Sequence, residues 1–129
     1  DSSYNLYENL KIENFSILPG SELKLLKGLE IGCTGIITAT CNVTASLARK
    51  VYDDFFAKKE QTHNEKLCNV RKVFDQFNLI SGLHSFLMQD HKTYENILPP
   101  LSLLNSSDKK KLIEDLSKLN FNSEKSKAA

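Results

Sequence analysis

Apolar residues along this chain follow two rhythms, and the change between them falls near residue 58. Phe15-Ser16-Ile17-Leu18 is a brief apolar run closed by Pro19-Gly20, the way a buried strand meets a turn. From Glu22 to about Ile31, Leu23, Leu25, Leu26 and Leu29 recur at helical spacing, and Gly32 ends the run. Gly35 to Cys41 is rich in Ile and Thr and carries no charge, which predicts a strand covered on both faces. Behind it, Asn42 and Thr44 are cap candidates for a helix in which Leu47, Ala48, Val51, Tyr52, Phe55 and Phe56 form one apolar stripe. Strand, helix, strand, helix with short connections predicts a parallel sheet.

Beyond Lys58 the periodicity is helical only. Leu67, Val70, Val73, Phe74 and Phe77 recur at three and four, Ile80 to Met88 is a second apolar stretch that Gly82 breaks, and Pro99-Pro100 interrupts any helix. Ser107-Asp108 starts a last helix through Leu112, Ile113, Leu116 and Leu119. The expected organisation is therefore an α/β part over 1–58, a helical subdomain over 59–121 and a flexible tail rich in Ser, Lys and Ala over 122–129. Two strands cannot close a sheet covered on both faces. This and the absence of an initial Met lead us to expect a segment of a longer polypeptide, with Asp1 an internal position.

Composition narrows the partners. The 129 residues are 40% hydrophobic and 26% charged, enough for one ordinary core and unlike a disordered chain. Seventeen Lys and Arg against sixteen Asp and Glu leave +1, so no overall field draws the chain to nucleic acid or an anionic membrane. No stretch approaches the ~20 apolar residues of a membrane span. Cys33, Cys41 and Cys68 are odd in number and widely spaced, which suits reduced core thiols in a cytoplasm. His63, His84 and His91 fit no compact ligand set, so no metal is expected. Lys109-Lys110-Lys111 opens an amphipathic helix and reads as a solvated face.

Three motifs carry a resemblance. Asp1-Ser2-Ser3 followed by Asn5-Leu6, then Leu18-Pro19-Gly20-Ser21-Glu22, then Gly35-Ile36-Ile37-Thr38-Ala39-Thr40-Cys41-Asn42-Val43 stand in the order and spacing of a family's strand ends. In them the chain resembles the C-terminal half of the pyruvate-dependent aldolases that include dihydrodipicolinate synthase and N-acetylneuraminate lyase, well over residues 1–60 and loosely beyond. The resemblance implies the C-terminal part of a (β/α)8 TIM barrel followed by a C-terminal helical subdomain. It implies a lyase or synthase, dihydrodipicolinate synthase-like or 2-keto-3-deoxy sugar-acid aldolase-like, in which a lysine forms a Schiff base with pyruvate or a related 2-keto acid, with an aldehyde as second substrate. It implies further that no metal or other cofactor takes part and that the assembly is a homotetramer.

The Schiff-base lysine would stand immediately before Asp1, so no catalytic residue is expected within the chain itself. The substrate-binding candidates are Gly20, Ser21, Glu22, Ile37 and Ala39, because reacting groups in such barrels sit at the C-terminal strand ends. Gly20 would let backbone approach a substrate, and Ser21 or Glu22 would bond a hydroxyl or amine on it. Taken alone, Gly20 equally makes a turn and Glu22 equally opens a helix near its positive end. Departures from the family pattern matter: Tyr4 replaces the usual Gly, and Ala39 and Leu23 argue against a long polyhydroxy sugar. Two rivals remain. A non-catalytic keto-acid-binding relative predicts no lysine before Asp1, and an unrelated helical adaptor predicts a partner site on the stripe from Leu67 to Phe77.

Overall fold

The computed structural model describes residues 2–10 and 12–123. Among them are α1 (Ser2–Leu10), α2 (Leu25–Glu30), α3 (Cys41–Phe56), α4 (Asn64–Phe74), α5 (Leu79–Leu87) and α6 (Ser106–Lys118), with short 3-10 turns at Glu22–Lys24 and Lys92–Glu95. The chain divides into two compact units, 1–68 and 69–129, with the division inside α4. The change of hydrophobic rhythm near residue 58 instead marks the end of α3.

No β-strand forms among the described residues, which corrects the expected strands at 15–18 and 35–41. A strand is a pairing rather than a conformation, and a parallel ladder needs neighbours along its length. Here the two runs meet where the Ile37 amide donates to the Pro19 carbonyl at 3.2 Å, short of a ladder. Nor are both faces covered. Phe15, Leu18 and Ile37 are 54%, 40% and 71% exposed, while Ile17 and Pro19 are buried.

In the first unit α2 packs on α3. Leu25 and Leu29 from one helix and Leu47, Ala48 and Val51 from the other are buried, each large aliphatic side chain stabilising by roughly 1.5–3 kcal/mol. The far end of the α3 stripe does not follow the expectation, because Phe56 stays exposed against Tyr52 and Phe55. Helix α2 stops where expected. Gly32 takes φ 100, its amide bonds the Leu29 carbonyl at 3.1 Å and the Cys33 amide bonds Gly28 at 2.8 Å. These two bonds are the Schellman closure that a positive φ permits. The N-terminus of α3 departs from the expected caps. Thr40 precedes the helix in αR geometry without a side-chain cap, Asn42 donates back to the Ala39 carbonyl, and Thr44 lies a turn inside.

In the second unit the Phe74 and Phe86 rings meet edge to face at 5.9 Å, and Phe121 stacks on Phe86 at 5.6 Å. Leu112 and Leu116 of α6 are fully buried. The expected break at Gly82 is absent: α5 runs through it, capped by Asn78 accepting from the Ser81 amide. A Cβ at Gly82 would stand 3.5 Å from the Phe74 ring and 3.9 Å from Leu112, so the residue fills a close-packed position without ending the helix. Asn105 caps α6 by accepting from the Asp108 amide at 2.8 Å. The stripe offered as an adaptor surface is buried at Leu67, Val70, Val73 and Phe74. Of the expected flexible tail, Asn122 accepts from the Ser117 hydroxyl at 2.8 Å and Ser123 is 3% exposed, whereas 124–129 lie outside the described residues.

Candidate functional site

Pro19 is buried and the chain turns behind it. Ser21, in extended geometry, accepts the Leu23 amide on its hydroxyl at 3.3 Å, and its carbonyl takes the Lys24 amide at 3.0 Å. This starts the 3-10 turn and points the next side chain inward, leaving Glu22 0% exposed. The Tyr4 hydroxyl of α1 donates to the Lys24 carbonyl at 3.1 Å and braces the same turn. Burial pushes the Tyr4 phenol above its ordinary value, helped by the neighbouring Cys33 and Glu30, so it stays a neutral donor.

The Glu22 carboxyl is met by three threonines. Thr38 donates to Oε2 at 3.1 Å, and Thr40 and Thr44 donate to Oε1, the latter at 2.8 Å. The Thr38 and Thr40 hydroxyls lie 2.9 Å apart, and Thr44 also reaches the Thr40 carbonyl at 3.0 Å. A carboxylate removed from water costs several kcal/mol unless its oxygens are bonded, and a hydrogen bond to a charged group returns about 1.5–3 kcal/mol. Three hydroxyls are the scale of compensation that burial requires.

Of the five expected binding residues, the structure sets Gly20 beside Ile37, Ser21 opens the turn that follows, and Glu22 is the fully buried member. Ile37 and Ala39 alternate with the inward-turned Thr38 and Thr40 and stay exposed and half-exposed. A Cβ built on Gly20 would have only the Ile37 carbonyl nearby, at 3.8 Å. The fold therefore does not itself demand glycine there. Asp1 of the first motif lies outside the described residues.

The residues missed from sequence are Thr38, Thr40 and Thr44 as partners of the carboxyl. The available signal was their spacing: two hydroxyls alternate on a run, and a third follows four residues later on the helix it leads into.

Other chemistry is committed elsewhere. Burial pushes the Cys33 thiol up. His63 lies 3.4 Å from Asp54, and the His84 ring nitrogen 2.9 Å from the Tyr94 carbonyl. No group of three or more His, Cys, Asp or Glu able to hold a metal occurs among the described residues. No helix among them is long and apolar enough to cross a membrane. In the second unit a groove of about 690 Å³ is lined by Phe77, Asn78, Ser81, Asn105 and Lys111. Its amides cap α5 and α6, and Lys111 bonds Gln76 and Asp115.

Comparison with known proteins adds three findings. The profile of the dihydrodipicolinate synthetase family matches residues 2–119. None of the curated proteins matches the chain. Among solved structures, dihydrodipicolinate synthase DapA-2 from Bacillus anthracis superposes with a TM-score of 0.78 at 17% identity, over 89% of this chain and 41% of that one. The chain thus spans less than half the length of that relative, and at this identity the likeness is one of fold.

Proposed function

Since the chain belongs to the dihydrodipicolinate synthetase family, we propose that it is part of a class I aldolase-type enzyme that forms or cleaves a carbon–carbon bond next to a 2-keto acid, pyruvate or a near relative. Membership sets aside the unrelated helical adaptor. In the proposed reaction a neutral lysine amine, directly before Asp1, attacks the keto carbon, and water leaves to give an imine. Loss of a proton from the adjacent carbon yields the enamine, whose carbon adds to an aldehyde; cleavage is the reverse. The working assembly is a cytoplasmic homotetramer.

The observation that carries this reading is the convergence at Glu22. One buried carboxyl ties the 19–22 turn to the 35–40 segment, two of the places where the family pattern sets substrate, and to the first turn of α3. On this reading 15–18 and 35–41 take the places of the seventh and eighth barrel strands, and Gly20, Ser21, Ile37 and Ala39 form the surface offered to the substrate. The apolar side chains at 37 and 39 and the inward hydroxyls at 38 and 40 favour a short aldehyde over a polyhydroxy sugar.

Borohydride reduction of the full-length gene product with pyruvate, followed by peptide mapping of the region entering Asp1, tests the proposal. A lysine adduct directly before Asp1 is the expected result. An unmodified peptide, or another residue at that place, overturns it in favour of a non-catalytic keto-acid-binding protein.

A further inference from the structure

We infer that Glu22 is a positioning residue, holding the strand-end backbone in place through Thr38, Thr40 and Thr44 rather than touching substrate; this rests on the aldolase reading. Three observations support it. The carboxyl is fully buried, and both of its oxygens are taken, Oε2 by Thr38 and Oε1 by Thr40 and Thr44. Its partners come from separate pieces of chain, 16 to 22 residues away, so the group acts as a tie between them.

The tied pieces are also those that shape the exposed surface. With Thr38 and Thr40 drawn inward, the residues that alternate with them, Ile37 and Ala39, are turned the other way. The Ile37 amide is then set against the Pro19 carbonyl at 3.2 Å, and the Ile37 carbonyl faces Gly20. Releasing the carboxyl frees the Gly20 and Ile37 backbones to move relative to each other while leaving every substrate-facing atom in the chain. Misplacement of about 1 Å at a reacting centre costs on the order of a hundredfold in rate.

The test is a double-variant cycle in the full-length protein, with the imine trapped by borohydride as a count of competent sites. Glu22→Gln and Thr40→Val are each expected to lower kcat/KM for the complete reaction by about ten- to a hundredfold while the trapped imine per chain stays at the wild-type level. The double variant is expected to be no worse than the worse single one, because both break the same tie. Thr40→Ser, which keeps the hydroxyl, is expected to restore most of the activity. Should Glu22→Gln fail to fold, Thr38→Val at its half-buried position carries the same comparison.

The inference is overturned if Thr40→Val is silent while Glu22→Gln raises the KM for the aldehyde, as for a substrate ligand. It is also overturned if trapped imine falls in step with kcat, as for a role in folding alone. A wild-type protein that traps no imine overturns the aldolase reading itself, and the role in catalysis with it.

Discussion

The two compact units are held by different kinds of contact. In the first, beside the apolar α2–α3 contact, a buried carboxyl meets the buried Thr40 and Thr44 and the half-buried Thr38, while Phe15, Leu18 and Ile37 remain exposed. In the second, Phe74 packs edge to face on Phe86 and Leu112 and Leu116 are fully buried, with Ile80, Tyr94 and Leu98 among its exposed large residues. Hydrogen bonds are directional and die within a few tenths of an ångström, whereas apolar packing is indifferent to direction and tolerates sliding. The first unit is built to hold atoms at fixed places. The second is built to hold itself together.

That contrast can be broken or sharpened by substitution. The largest effect should come from the ring core of the second unit: Phe74→Ala is expected to cost about 3–5 kcal/mol, read as a lower urea midpoint. Thr44→Val, which keeps the shape but removes a donor from the buried carboxyl, is expected to cost about 1–3 kcal/mol by the same measurement. If it costs nothing, the polar network is dispensable for stability and the contrast fails.

Two glycines offer a smaller and opposite pair. Gly32→Ala forces a Cβ into φ 100 and should destabilise by about 1–2 kcal/mol. Gly82→Ala meets Phe74 and Leu112 at ordinary contact distance and should stabilise α5 by about 0.5–1 kcal/mol, both seen by thermal melting.

The smallest effect lies on the surface of α6, where hydrogen bonds from Lys111 and Lys118 hold the Asp115 carboxyl below its ordinary value. A depressed folded value stabilises the protein above the unfolded carboxylate range, and the gain is lost as pH falls through the folded one. Asp115→Asn should therefore lower the melting temperature slightly at neutral pH and leave it unchanged at strongly acid pH.

Much of this architecture was legible in the pattern of side chains. The stripe Leu47, Ala48, Val51 and the run Leu112, Leu116 carry helical periodicity long enough to be unambiguous, and Gly32 announced a helix end by the backbone it alone adopts freely. The strands were not realised, because their signature reports burial and branching, whereas a strand forms only when a neighbour is present to pair with. Gly82 misled for a different reason: one glycine lowers helix propensity by only about 1 kcal/mol, too little to break a helix that Asn78 caps and whose Leu83 and Phe86 are buried. Glu22 was found as a candidate from its place beside Gly20, but its partners lie 16, 18 and 22 residues away, beyond any local pattern. A charged residue at a helix start reads as solvated until the fold shows what covers it.

The tie at Glu22 also bears on how the protein meets its surroundings. Arg49–Asp53 and Lys27–Glu30 are pairs in open solvent, where mobile ions at about 0.15 M weaken attraction beyond roughly 8 Å and compete at contact. The bonds from Thr40 and Thr44 are buried, so concentrated salt strips the surface pairs and leaves these standing. The placing of the 19–22 turn against the start of α3 is thereby insulated from ionic strength.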